Sequence, residues 1–252
     1  MRPALYAALL VVSLVRTAQA AELQVLTPPL IYAGLSKLAT AYTRQTGITV
    51  TVKSDVMGKI VGDIKTGVPA ADVIALPTDL MDVLDKDGGI KAGSKTSLGR
   101  VEIALAVRAG APHPNITTVE KLRAALQSAK AVIYSQPGPP RNSMEASIID
   151  SLLKRPEFAQ VHASMVPMAN GSGVAALARG EGDMAMQVIP EILSVKEIEL
   201  VGPLPPELGA HIDTATAISA RSADAEDALA FIRYITSAEA TSIWKAEGVS
   251  RF

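Results

Sequence analysis

The sequence predicts an α/β fold with a largely parallel sheet, because short apolar strands alternate with amphipathic helices along the chain. Glu22–Leu26 is typical of a short strand, and the apolar residues between positions 31 and 42 recur at helical spacing. Gly47 is expected to end that helix, and the alternating segment Ile48–Val52 predicts the next strand. Apolar residues make up 48% of the 252 residues, so the chain can bury a substantial core.

The same alternation continues to the end of the chain and suggests two lobes of similar size, without an internal repeat. Further strands are predicted at Asp72–Leu76, Val101–Val107, Ala131–Tyr134, Val161–Val166, Asp183–Val188 and Ile212–Ala220. Further helices are predicted at Gly58–Thr66, after Thr78, after the capping boxes Thr117-x-x-Glu120 and Asn142-x-x-Glu145, at Ser172–Arg179, and around Leu229 and Ile243.

The first 20 residues have the pattern of a secretory signal peptide. Arg2 precedes an apolar run from Ala4 to Val15, which is followed by Ala18-Gln19-Ala20. The run of about 12 residues is shorter than the roughly 20 needed to span a bilayer. We therefore expect cleavage after Ala20, with an uncleaved anchor as the alternative. Because the chain has no cysteine that could carry a lipid, we expect a free protein of the Gram-negative periplasm.

The composition narrows the classes of function. A net charge of −1 and an aromatic content of 4% argue against a nucleic-acid partner. None of the three histidines lies at a metal-ligand spacing, so no metal site is predicted. The sequence has no nucleophile elbow and no phosphate-binding loop, so it predicts no catalytic residue and no cofactor. We expect a monomer that binds a small molecule.

Several segments, in order and spacing, resemble one known family. They are Gly67–Val73, Tyr134–Pro137, Ala178–Glu181, Gln187–Ile192 and Glu199–Pro205. The chain resembles the periplasmic solute-binding proteins of ABC transporters, with the type II fold, in the molybdate-binding-protein-like branch that also includes aconitate isomerase-like proteins. The resemblance implies two lobes, each a mixed and mostly parallel sheet flanked by helices, with a ligand cleft between them. Residues 21–102 and 216–252 would form lobe 1, and residues 103–215 would form lobe 2.

The resemblance also implies that a small anion is held by helix N-termini and backbone N–H groups from both lobes. The four segments that would line the cleft begin at Thr27, at Met57, at Arg141 and at Asn170. The candidate ligand-binding residues in and near them are Thr27, Gly58, Lys59, Arg141, Asn142, Ser143, Ser172 and Gln187. Several have an ordinary structural alternative, since Asn142, Ser143 and Ser172 can simply cap helices and Lys59 can be a surface residue.

The sequence departs from the molybdate binders at two of these segments. Prolines follow Thr27 where molybdate binders have a serine, and the usual serine is also absent beside Gly58. Lys59 and Arg141 would instead bring one positive charge from each lobe, and an arginine can hold a carboxylate with two hydrogen bonds. These departures favour an organic carboxylate or another larger anion over molybdate.

Two functions of different classes fit this reading, with a sensor or scavenger that lacks a permease as a third. The first is a receptor that captures the anion and delivers it to an ABC permease. The alternative is an aconitate isomerase-like enzyme, which would move a proton between carbons of a tricarboxylate. Such an enzyme needs a base over the ligand. Glu145 and Asp55 are candidates, but neither forms a compelling pair in the sequence.

Overall fold

A computed structural model describes residues 22–67, 70–138, 143–168 and 172–251, with the backbone alone at 162–164. In these residues ten strands form the sheet. They are β1 (Glu22–Thr27), β2 (Thr49–Ser54), β3 (Val73–Pro77), β4 (Thr96–Arg108), β5 (Val132–Ser135), β6 (Met165–Met168), β7 (Met184–Val188), β8 (Ile198–Pro203), β9 (His211–Ile218) and β10 (Val249–Ser250).

Helices connect most of these strands and cover the sheet. They are α1 (Pro29–Thr46), α2 (Met57–Thr66), α3 (Thr78–Lys86), α4 (Val119–Ser128), α5 (Met144–Leu153), α6 (Gly173–Ala178), α7 (Ile189–Leu193), α8 (Ala225–Ile235) and α9 (Thr241–Ala246). Short 3₁₀ helices cover Pro156–Ser164 and Pro206–Leu208. Within the described ranges, no helix is both long enough and apolar enough to cross a membrane.

The sheet has two parallel halves that meet at the long strand β4, in the order β2-β1-β3-β9-β4-β7-β5-β6. On one side β1 pairs in parallel with β2 and β3, and on the other side β5 pairs in parallel with β6 and β7. The first half of β4 pairs with β9 and β10, and its second half, from Ile103, pairs with β7 and β8. The predicted α/β class is confirmed, while the predicted lobe boundaries stay a prediction.

The last two helices pack against α1, as their apolar faces require. Tyr42 of α1 lies with its ring centroid 5.2 Å from that of Phe231 and 5.1 Å from that of Tyr234. Trp244 is fully buried and donates its indole N–H to the Ile235 carbonyl at 2.8 Å, so the ring is held by packing and by a hydrogen bond. The C-terminal helices thereby join the core built on the first strands of the sheet.

Some local predictions were wrong. The strand predicted at Val161–Val166 is largely a 3₁₀ helix, because Phe158 and Val161 are both fully buried at the three-residue spacing of such a helix. Both capping boxes are displaced by one residue. The N-cap of α4 is Thr118, which accepts the Lys121 N–H at 3.3 Å, and the N-cap of α5 is Ser143 and not Asn142.

Candidate functional site

A cleft of about 380 Å³ is lined by residues that follow the carboxyl ends of β1, β2 and β7 and by the start of α5. Ligands of α/β proteins bind at this edge of a sheet, because the helix starts collect there. The lining residues are Pro29, Leu30, Val56, Met57, Gly58, Ser143, Glu145, Val188, Glu191 and Ile212. Segments from both halves of the sheet therefore contribute to one cleft.

Three helices of ten residues or more begin at this cleft. The first residues of α1 and α2 are part of its lining, as are the N-cap and the second residue of α5. The first N–H groups of an α-helix have no partner within the helix, and the aligned peptide dipoles add a partial positive charge at that end. The convergence of three such ends makes this part of the cleft favourable for negative charge.

The start of α1 offers fewer donors than a helix start normally does. Pro28 is the N-cap and Pro29 is the first helical residue, and neither residue has a backbone N–H. The Ile31 N–H turns back to the Pro28 carbonyl at 3.4 Å. Leu30 therefore carries the first backbone N–H of this helix, and its side chain adds apolar surface to the cleft.

The start of α2 offers a more open pair of donors. The N–H groups of Lys59 and Ile60 both bond to the Val56 carbonyl, at 3.0 and 3.1 Å. Met57 and Gly58 precede them, so their two N–H groups have no carbonyl partner within the helix. A Cβ added at Gly58 would meet no atom within 4 Å, so the backbone can be approached closely there.

The opposite wall carries two carboxylates joined by one amide, a group we call the carboxylate cluster: Glu145, Gln187 and Glu191. Gln187 is only 1% exposed, and its Nε2 donates to Glu145 Oε2 at 3.0 Å and to Glu191 Oε2. The Ser172 hydroxyl donates to the same Glu191 oxygen at 3.3 Å. Both N–H groups of the amide are thus used, one on each carboxylate.

Glu145 stands at the second position of α5, where the helix dipole favours a carboxylate. It is 5% exposed, and Gln187 supplies one of its hydrogen bonds. Ser143 caps the same helix by accepting the Ala146 N–H at 3.4 Å, which leaves its hydroxyl hydrogen available to the cleft. Burial and these contacts fix the wall of the cleft at this point.

A second cavity, of about 400 Å³, lies away from these helix starts and is lined in part by Lys65, Asp87 and Arg221. Lys65 and Asp87 pair with each other at 2.7 Å across this hollow, and both side chains are about half exposed. Its lining lacks the converging helix starts of the first cleft, so we place the functional site in the first cleft.

A family model described as bacterial extracellular solute-binding protein matches residues 23–250 of this chain. The chain belongs to that family. The aconitate isomerase of a Pseudomonas species is 28% identical over 234 residues, which cover 90% of this chain and 87% of that protein.

Solved structures of periplasmic binding proteins share the fold of this solute-binding protein, which confirms the predicted two-lobed class. A substrate-binding domain assigned to a molybdenum ABC transporter of Clostridium difficile superposes with a TM-score of 0.78, at 15% identity over 92% of this chain and 99% of that chain. The periplasmic molybdate-binding protein of Azotobacter vinelandii superposes with a TM-score of 0.69, at 19% identity over 90% of this chain and 98% of its own.

The structure of the solute-binding protein brings four of the candidate residues to or directly behind the cleft. Gly58 and Ser143 line it. Gln187 and Ser172 lie behind the wall and hold Glu191 by hydrogen bonds. Their contact with a ligand stays a prediction.

The other candidates lie elsewhere or outside the described residues. Thr27 is fully buried at the end of β1, and its hydroxyl lies 3.4 Å from the Pro28 carbonyl. Lys59 is not part of the cleft lining, and its side chain is 52% exposed. Its ammonium pairs with Asp55, two residues before α2, at 3.2 Å and with Asp63 of α2 at 2.6 Å, and these bonds raise the pKa of Lys59. Arg141 and Asn142 lie outside the described residues, as do the first 21 residues with the predicted signal peptide.

The sequence analysis missed Glu191 and set Glu145 aside. Glu191 lies in the first turn of α7, three residues after the end of β7, and such a position at the carboxyl end of a parallel strand was the available signal. Among the described residues, no group of three His, Asp or Glu side chains is placed to hold a metal ion. The helix starts of the cleft suit the binding of an anion, and the carboxylates of Glu145 and Glu191 in its lining are groups that can exchange a proton.

Proposed function

We propose that this solute-binding protein captures a small organic carboxylate in its cleft in the periplasm and presents it to an ABC permease in the inner membrane. The signal-peptide pattern at residues 1–20 supports the location. Membership of the family supports the role as a receptor, since a ligand held between two lobes gives a permease a distinct shape to recognise.

The convergence of the N-terminal ends of α1, α2 and α5 on one cleft carries the proposal. A carboxylate placed there accepts hydrogen bonds from backbone N–H groups such as those of Met57 and Gly58, and it gains from the helix dipoles. No fully charged side chain is needed for this interaction, which agrees with the position of Lys59 outside the lining.

Two features of the lining favour an organic acid over a tetrahedral oxyanion. Pro28 and Pro29 remove two donors that an oxyanion with four oxygens would use. Leu30, Val188 and Ile212 add apolar surface that suits the carbon skeleton of a ligand. The volume of about 380 Å³ also falls within the range of pockets for small organic molecules.

The test is a thermal-shift screen followed by isothermal titration with molybdate, tungstate, sulfate, citrate and aconitate. A ligand that binds only the folded protein raises its melting temperature, and we expect this effect from a carboxylate. Tight binding of molybdate alone would refute the proposal. An ABC permease and an ATPase encoded beside this chain would support its role in transport.

A matched pair of variants tests the backbone donors of α2. Met57→Pro removes the N–H at the first helical position, where proline fits and where Val56 is already extended. Met57→Ala removes the side chain and keeps the N–H. Since a hydrogen bond to a charged group contributes about 1.5–3 kcal/mol, Met57→Pro should bind at least about tenfold more weakly than Met57→Ala. Equal affinities would mean that this N–H does not hold the ligand.

The second candidate function is an isomerase that acts on a tricarboxylate in the same cleft. Two observations favour it: the carboxylates of Glu145 and Glu191 on the cleft wall, and the 28% identity to an aconitate isomerase. A carboxylate beside a carbon acid can act as the base that a proton shift requires. Conversion between cis- and trans-aconitate by the purified protein would support this function over simple capture.

A further inference from the structure

We infer that Glu191 is the group that moves the proton in a 1,3-proton shift of an unsaturated tricarboxylate, with Gln187 as its positioning residue. The inference rests on the second candidate function. It depends on the geometry of the carboxylate cluster, in which one oxygen of Glu191 is anchored and the other is not.

Glu191 has the arrangement that a base in a cleft requires. Its Oε2 accepts hydrogen bonds from Gln187 Nε2 and from the Ser172 hydroxyl, so the orientation of the carboxylate is fixed. Its Oε1 accepts no hydrogen bond from any described residue, and the side chain lines the cleft. A carboxylate held by one oxygen presents the lone pairs of the other to whatever occupies the cleft.

Glu145 is less suited to this role. It is more deeply buried than Glu191, and its Oε2 accepts the second N–H of the same Gln187 amide. Glu145 therefore accepts the N–H of Gln187 that does not bond to Glu191, and this bond fixes the orientation of the amide. Because Gln187 itself is almost fully buried, it has little freedom to turn away from either carboxylate.

Gln187 also keeps one polar atom unused in this arrangement. Its Oε1 is buried and has no hydrogen-bond partner among the described residues, whereas both N–H groups are engaged. Burying an amide oxygen without a partner costs about 1–3 kcal/mol. A side chain retained at that cost is better explained by the need to hold two carboxylates in place than by core stability.

The substrate would lie with carboxylates at the starts of α2 and α5 and with its methylene carbon toward Glu191 Oε1. The Glu191 carboxylate accepts a proton from the methylene carbon, and the two electrons of that C–H bond form a double bond to the adjacent carbon. The former double bond shifts its electrons to the far carbon, next to a carboxylate that helix N–H groups stabilise.

The Glu191 carboxyl group exchanges its proton with solvent and then gives a proton to that far carbon. One C–H bond is broken and one is formed, and the double bond moves by one carbon. The new double bond can form with either geometry, so cis- and trans-aconitate interconvert. The step needs no oxidant, reductant or further reactant.

The test uses the full chain with cis-aconitate in D₂O, followed by proton NMR, together with isothermal titration of the same samples. We expect trans-aconitate that carries deuterium at the carbon that receives the proton. General acid–base groups contribute about 10²–10⁴-fold to a rate, so Glu191→Gln should lower kcat at least about 100-fold and abolish deuterium exchange. The Kd of cis-aconitate should not rise, because binding does not need the proton transfer and the substitution removes a negative charge beside an anionic ligand.

Two further variants separate positioning from chemistry. Gln187→Met keeps the volume and removes both N–H donors, and it should lower kcat about tenfold or more with little change in KM. Glu197→Gln changes an exposed glutamate directly before β8, outside the cleft, and should match the unmodified protein. If Glu191→Gln has the same rate as Glu197→Gln, the role of Glu191 is overturned. If Gln187→Met keeps full activity, the role of Gln187 is overturned.

The outcomes also separate this inference from the proposed capture of a carboxylate. Saturable binding of cis-aconitate with neither isomerisation nor deuterium exchange would overturn proton transfer and leave the receptor function standing. If no carboxylate of the panel binds, both the proton transfer and the receptor function are overturned. If isomerisation is lost in Glu145→Gln but retained in Glu191→Gln, the proton transfer belongs to Glu145, and this result would equally overturn the inference.

Discussion

Gly248 in the C-terminal turn packs against the start of α7, the helix that carries Glu191. Its replacement should lower both the stability of the protein and its affinity for the ligand. Gly248 has a φ of +78°, in the left-handed region. A Cβ at this position would lie 2.6 Å from Ile189 Cγ2 and 3.0 Å from the Pro190 nitrogen, at the start of α7. Gly47 has the same φ of +78° at the end of α1, and an added Cβ there would meet nothing within 4 Å.

The two glycines therefore separate backbone strain from contact. A left-handed conformation costs an L-residue about 1–2 kcal/mol, and this cost applies to both Gly47→Ala and Gly248→Ala. Forcing a methyl group into a packed site adds about 1–3 kcal/mol, and this cost applies to Gly248→Ala alone. We expect about 1–2 kcal/mol of destabilisation for the first variant and about 2–5 kcal/mol for the second.

Thermal unfolding of the two variants and the unmodified protein measures this difference. At about 2–4 °C per kcal/mol for a chain of this size, Gly248→Ala should melt several degrees below Gly47→Ala. Because the displaced residues lie directly before Glu191, the affinity of Gly248→Ala for its ligand should also fall, whereas that of Gly47→Ala should not. Equal melting temperatures and equal affinities would refute the contact between the C-terminal turn and α7.

Two other substitutions follow from contacts in the structure. Gly34→Ala in α1 would place a Cβ 2.5 Å from the buried ring of Trp244 and should destabilise the protein by about 1–3 kcal/mol. Gly62→Ala in α2 meets nothing within 4 Å and should stabilise the protein by up to about 1 kcal/mol through helix propensity. Urea unfolding measures the change in the free energy of unfolding for each variant, and stabilisation of both variants would contradict the packing of Gly34 against Trp244. Hydrogen bonds from Arg100, at 2.7 and 3.0 Å, lower the pKa of Asp213. The stabilisation is therefore present above the unfolded pKa of about 3.9 and is lost as the pH falls through the lower folded pKa. Since both side chains are more than a third exposed, Asp213→Asn should cost at most about 1 kcal/mol near pH 7 and progressively less in acid, and a cost that grows in acid would exclude the pair.

Most elements of the fold could be predicted because their signals are local. Each signal lies within a short stretch of sequence, as for the apolar spacing of α1, the glycine that ends α1 and the buried run of β7. The failures were local as well: a strand was predicted within what is the 3₁₀ helix Pro156–Ser164, and the N-cap of α5 is Ser143 and not the preceding residue. Periodicity cannot resolve a difference of one residue when both candidates can cap a helix.

The sequence by itself determined the class of this protein, because strand and helix periods and the order of family segments are properties of the chain alone. The resemblance to the family also implied that helix starts would hold the ligand. Only the tertiary structure decided which side chains meet there. Lys59 pairs with two acids that lie four residues before and after it in the sequence, and Gln187 bonds to Glu145 and Glu191 across 42 and 4 residues. The physical reason is that a charge or an amide selects partners by distance in space, and a residue's spacing along the chain does not record that distance.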